Sequence, residues 1–174
     1  MRSSLKWFVL SISIIIPLTI SFFLHFFGKN NYEVPIFHEE RIGNYSFCLL
    51  DVEFPFYVKS DSFLEIGQNF ILVDIRLDDK NQSFINNEIE RLLNNNFIID
   101  LYSITSSSLD NNWKTLRLNK SELFKYVSCK FLYDINFSSL ILIDKFGRIR
   151  GYYESNSEDE FERLSAELKI LISS

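Results

Sequence analysis

Cysteine, histidine and glycine are scarce in this 174-residue chain, and each shortage removes a class of chemistry. The two cysteines, Cys48 and Cys129, stand far apart, and neither belongs to a CxxC or CxxxC pair. Thiol–disulfide exchange needs an activated thiolate and usually a resolving cysteine, so that class falls away. The only histidines are His25 and His38, so no Ser-His-Asp set can be assembled in the body of the chain. Five glycines form no phosphate-cradling loop. Positive charge is short as well. The formal net charge is −5, and two of the cations, Arg2 and Lys6, belong to the N-terminal segment. The rest of the chain is more acidic still and has no basic patch interleaved with aromatics, which argues against a nucleic-acid surface.

Apolar residues are plentiful. They make up 47% of the chain, and aromatics 16%, enough to bury a core and too much for a disordered polymer. The length suits one ordinary domain and an anchor. Cys48 lies in an apolar strand-like run and Cys129 late in a helical pattern, so both read as buried or half-buried thiols. A disulfide between them is the alternative, which needs a geometry that sequence cannot test.

Residues 5–27 are almost wholly apolar, long enough to cross a bilayer as a helix. Arg2 and Lys6 precede the run, so the N-terminus is expected on the cytoplasmic side of the inner membrane and the domain on the periplasmic or extracytoplasmic side. No small-residue cleavage site follows, which predicts an uncleaved signal anchor over 1–28. Pro17 is tolerable in a membrane helix. His25 reads as an interfacial residue. Residues 29–40 read as a linker that includes the cluster His38-Glu39-Glu40. Neighbouring side chains of an extended segment alternate in direction, so the cluster reads as solvated rather than metal-binding.

The domain is expected over 41–174. Residues 45–52 and 54–58 read as a hairpin of two strands, with Pro55 marking an edge or a turn. Residues 70–77, FILVDIRL, read as a central strand. Ser83 is the expected cap of a helix running to about Asn95, with Phe84, Ile85, Ile89, Leu92 and Leu93 on its apolar face. Residues 97–105 read as a second strand, parallel to the first. A short element at 113–118 follows, then a helix over 120–129 capped by Asn119. Residues 140–143 and 148–153 flank the turn Asp144-Lys145-Phe146-Gly147 as a second hairpin. Residues 158–172 close the chain as an amphipathic helix capped by Ser157, with Phe161, Leu164, Leu168 and Leu171 inward. The order is anchor, hairpin, β, α, β, α, hairpin, α. That predicts an α/β fold of the thioredoxin-like plan, a mixed sheet with flanking helices, preceded by one transmembrane helix.

The wording of the second hairpin, LILIDKFGRIRGYY, together with the NW at 112–113 and the anchor, resembles the Sco/SenC family. VPIF at 34–37 is similar to that family's segment just outside the membrane. The resemblance implies a membrane-anchored cytochrome c oxidase assembly factor and copper chaperone, with a respiratory oxidase subunit or a copper-handling protein as partner. It also implies copper ligands: a CxxxC pair in the loop after the first central strand, and a histidine just before the hairpin. The corresponding positions here read LDDKNQSF and, at Asn136 or Phe137, DINFSS. The soft ligands that suit copper(I) are therefore missing, and the expectation is a chain with no catalytic, cofactor or metal residues and no enzyme activity. Asp78 and Asp79 stand where the thiols would be. Their hard oxygens suit calcium or magnesium, yet two adjacent aspartates in a polar loop are ordinary. Asp100 and Asp144 read as partners of turn backbone. The alternative function is a non-catalytic thioredoxin-fold interaction or structural module at the membrane.

Overall fold

The computed structural model describes residues 2–27, 33–40, 48, 52–78, 80–94, 97–107 and 113–173. It divides into two units, residues 1–33 and 34–174. The first unit is helix α1, Arg2–Phe27, with Pro17 inside it. Its stretch Lys6–Phe23 is long and apolar enough to cross a membrane. The hydroxyl of Thr19, the polar side chain next after the proline, donates back to the carbonyls of Ile15 (3.0 Å) and Ile16 (2.9 Å), so it is satisfied within the helix.

From its first central strand onward, the second unit follows the expected order. It contains β1 (Phe70–Arg76), α2 (Gln82–Asn94), β2 (Ile99–Thr105), β3 (Lys114–Arg117), α3 (Lys120–Phe131), β4 (Ser139–Ile143), β5 (Ile149–Glu154) and α4 (Glu158–Ser173). These strands form one sheet in the order β3-β2-β1-β4-β5. β1, β2 and β3 run parallel; β4 is antiparallel to β1, and β5 to β4. This is the thioredoxin-like mixed sheet with flanking helices.

Side chains alternate across a strand, and β1 sorts its residues accordingly. Ile71, Val73 and Ile75 face α3, where Leu123, Val127 and Phe131 meet them together with Leu64. Leu72 faces the other way, into Ile85, Ile89, Phe161 and Leu164 of α2 and α4. β1 is thus buried on both faces, which is why its sequence reads as a nearly continuous apolar run. Helix α3 starts at a capping box: Asn119 Oδ1 accepts from Glu122 N (3.0 Å) and Glu122 Oε2 from Asn119 N (3.2 Å). Ser157 caps α4 through a weaker bond from Glu160 N, 3.4 Å.

Three local expectations are corrected. Residues 54–58 form no strand, because Pro55 offers no amide to a ladder. Two isolated bonds hold the segment instead, Phe56 N to His38 O (3.0 Å) and Val58 N to Gly147 O (2.8 Å). The proposed partner strand, 45–52, lies almost wholly outside the described residues. Helix α2 begins before Ser83: Ile85 N already donates to Asn81 O (3.0 Å), and Asn81 makes the corner with φ 57°, a conformation asparagine tolerates. Ser83 is therefore a first-turn residue and not the cap. Asp100 does not bond to a turn. It sits inside β2 opposite Ile71 and accepts from the Asn69 side chain at 3.3 and 3.4 Å.

Candidate functional site

The C-terminal ends of parallel strands are the favoured place for a site in an α/β sheet. Here β1 finishes next to the start of β4, with Ile75 opposite Ser139, and Ser139 in turn faces Glu154 at the end of β5. The loop after β1, the residues just before β4 and the β5–α4 turn therefore converge at one end of the sheet. Both places where the resemblance expects copper ligands lie in this convergence.

Amide and hydroxyl groups tie that end together. Leu77 N donates to Ser138 Oγ (3.2 Å), Ser106 Oγ to Leu77 O (3.1 Å) and Ser155 N to Ser138 O (3.1 Å). Asn81 Nδ2 reaches Asn156 Oδ1 (3.4 Å). Asp78 accepts from Lys80 N (3.1 Å) as an ordinary loop aspartate, and Asp79 lies outside the described residues. Among the described residues no three histidine, cysteine, aspartate or glutamate side chains gather into a metal-sized cluster. The donors described at this end are hydroxyls, amides and carboxylates, hard groups that match copper(I) poorly because it prefers thiolate.

The cysteines are elsewhere. Cys48 and Cys129 form a disulfide with their Cα atoms 5.4 Å apart, so the expected pair of free thiols is corrected. Cys129 is on α3, the helix on the opposite face of the sheet from α2 and α4. A thiol in a disulfide is no nucleophile, which leaves peroxidase or reductase chemistry without a starting group among the described residues.

His38 belongs to neither the loop after β1 nor the segment before β4. His25 belongs to α1. His38 is not the solvated linker residue expected. Its ring lies against Phe56 and Tyr152, centroids 6.3 and 6.1 Å away. Tyr152 donates its hydroxyl proton to Phe131 O (2.7 Å), so it accepts from His38 Nε2 (2.8 Å), and this assigns the imidazole proton to Nε2. Burial pushes the His38 pKa below its usual value. Glu39 and Glu40 are exposed, as expected of the linker. The segment itself is fastened to β5, with Phe37 N donating to Ile149 O (2.9 Å) and Arg150 to Val34 O (2.6 Å).

Asp74 and Arg76 escaped sequence reasoning. They point from β1 into the α2/α4 side, beneath the loop where the thiols would have been. Asp74 Oδ2 takes Arg76 Nε at 2.6 Å, and the guanidinium also donates to Asn86 Oδ1 (2.7 Å) and stacks 5.7 Å from Trp113. Burial raises the Asp74 pKa to about 6 despite the opposing pull of Arg76. The i, i+2 spacing in a strand was the one available signal, since it puts both side chains on one face.

The same end of the sheet carries an open groove of about 390 Å³ beside the end of β5. Its rings and carboxylates come from α4, β5 and the segment before β4, and no single stretch of sequence announces it.

No protein-family model and no curated protein matches the chain. Among solved structures it is similar to BsSco, a member of the Sco family of cytochrome c oxidase assembly proteins. That match has 13% identity and a TM-score of 0.48, and covers 60% of this chain and 81% of that one. A SCO1/SenC family lipoprotein from Bacillus anthracis gives 14% identity and a TM-score of 0.48, with 62% and 83% covered. Yeast Sco1 with copper bound gives 11% and 0.46, with 63% and 81% covered. At these identities the likeness is one of fold.

Proposed function

We propose that this chain is a membrane-anchored thioredoxin-like module that works by binding a partner and performs no thiol or copper chemistry. The observation that carries the reading is the composition of the sheet end. Residues 77–78 and 80–82 meet residues 135–138 where ligands would be needed, and they bring asparagine, glutamine, serine, lysine and aspartate beside apolar side chains. The only two cysteines of the chain are bonded to each other on the other side of the sheet. The apolar α1, with Arg2 and Lys6 at its start, supports an anchor in the inner membrane and a domain on the extracytoplasmic side.

The test is copper(I) titration of the full chain in detergent micelles, with competition from a chelator. No stoichiometric binding is expected. One tightly held copper per chain would overturn the loss of the site.

A second, narrower reading is a docking factor in cytochrome oxidase assembly, descended from a Sco/SenC-type copper chaperone. It is favoured by the β4–turn–β5 hairpin, in which LILIDKFGRIRGYY forms the two strands and turn that the family resemblance implies. Affinity capture from membranes separates the two. Enrichment of an oxidase subunit supports the narrower reading, and its reproducible absence from an otherwise successful capture removes it.

A further inference from the structure

We propose that the groove beside the end of β5 binds a lysine- or arginine-bearing segment of a partner protein. This rests on the reading of the chain as a binding module and gives its partner a chemistry. The groove joins four rings, Tyr133, Phe137, Tyr152 and Tyr153, to three carboxylates, Glu154, Asp159 and Glu160, and Arg163 also lines it.

The rings are held in place. Tyr133 and Tyr152 stack with centroids 4.7 Å apart and planes 11° off parallel. Tyr133 Oη is bonded to Ser139 Oγ (3.0 Å) and Tyr152 Oη to Phe131 O (2.7 Å). Phe137 stands at the rim, 41% exposed. The face of an aromatic ring attracts cations, and Lys or Arg over a ring is a recurrent protein contact. Carboxylates beside the ring add full negative charge.

The protein already uses this chemistry at the groove itself. Arg163 lies 4.6 Å over the Tyr153 ring, donates to Tyr152 O (2.7 Å) and pairs with Glu160 (2.7 Å). That accounts for Glu160. Glu154 and Asp159 are exposed and have no ion pair among the described residues. Glu158, Asp159 and Glu160 also favour the positive end of the α4 dipole, which is their ordinary structural reason. That reason does not extend to Glu154, which lies on β5, or to the exposed ring of Phe137. A second guanidinium or ammonium beside Phe137 would repeat the Arg163 arrangement and meet the two unpaired carboxylates. Phosphate or carboxylate ligands are disfavoured at the same place by like charge.

The test uses the full chain in neutral detergent micelles and a fluorescein-labelled peptide of alternating arginine and glycine. Serine–glycine and glutamate–glycine peptides serve as controls, and anisotropy is the readout. The arginine peptide should bind, and binding should weaken at least tenfold in Glu154→Gln/Asp159→Asn and in Phe137→Ala. Glu65→Gln/Glu90→Gln removes the same charge from exposed positions elsewhere and should leave binding unchanged. Near-ultraviolet circular dichroism checks that each variant is folded, with Phe137→Leu as the milder substitute. Equal weakening by the remote pair, or no preference over the serine peptide, would overturn the proposal. So would competition by phosphatidylcholine vesicles as effective as unlabelled peptide, which would assign the groove to lipid headgroups. A partner captured from membranes equally well by the groove variants would sink the groove and leave the binding module standing.

Discussion

Asp74 and Arg76 face each other on β1 with Oδ2 and Nε 2.6 Å apart, and each side chain is 1% exposed. Two charges buried this deeply are tolerable only as a pair. Removing one partner from a buried ion pair costs about 3–5 kcal/mol, because the other is left uncompensated, whereas an apolar replacement of both is often neutral. Asp74→Asn and Arg76→Met should therefore each destabilise strongly, while Asp74→Leu/Arg76→Met loses less than either single change. Urea unfolding of the four proteins checks this. Additive losses would mean that the pair is not coupled.

The two perturbed aspartates give opposite pH limbs. Asp74 has its pKa raised from 3.8 to about 6, so its contribution is most favourable below pH 3.8 and is lost as pH rises through 6. Burial alone would also raise Asp61. Bonds from Leu64 N, Lys130, Tyr126 and Phe63 N instead hold it at about 2, so it stabilises above pH 3.8 and that contribution disappears as pH falls towards 2. His38, lowered by burial, subtracts stability as pH falls through 6.5 in wild type and variants alike. Stability against pH should thus differ in slope between wild type and Asp74→Asn from pH 7 to 4. It should differ between wild type and Asp61→Asn only from pH 4 to 2. Chemical denaturation at half-unit steps would show it, and parallel curves would refute it.

The Cys48–Cys129 disulfide spans a sequence separation of 81 residues. Closing a loop of that length removes enough unfolded-chain entropy to stabilise the fold by ~4.5 kcal/mol in the chain-entropy account. Intact-mass analysis after alkylation without reductant should show both cysteines unmodified. Cys129→Ser should lower the midpoint of denaturation substantially. Two alkylated thiols in oxidised protein would contradict the pairing.

Gly147 closes the β4–β5 turn with φ 81°, and a Cβ there would lie 2.6 Å from the Val58 carbonyl oxygen, the atoms beside the bond that fastens 56–58 to the hairpin. Gly147→Ala should cost about 1–3 kcal/mol for the backbone conformation alone, with further loss from the contact. A fall in Tm of a few tenths of a degree or less would show that the turn can relax.

Much of this fold is written locally. The near-continuous apolar runs around Leu72 and Leu142, the 3.6-residue spacing of Phe161, Leu164 and Leu168, and the Asn119–Glu122 box each identify an element within its own span. Their order then restricts the sheet to few topologies, because parallel strands need a crossover. Residues 54–58 depart from the expected strand for a local reason as well: Pro55 has no amide to give to a ladder. The candidate site was legible mainly as a loss. LDDKNQSF and DINFSS contain no cysteine or histidine, whatever the tertiary arrangement.

The amino-acid sequence by itself determined the anchor-length apolar run, the order and inner faces of the elements, and the absence of thiol or imidazole donors where the resemblance requires them. These depend on neighbours a few residues apart or on composition. Only the tertiary structure decided that Cys48 meets Cys129, that His38 packs on Tyr152, that Asp74 and Arg76 share a buried pocket with Asn86, and that Phe137, Glu154 and Asp159 line one groove. Each of those depends on segments distant in the chain being brought within a few ångströms, and that distance is set by how the two layers of helices pack on the sheet.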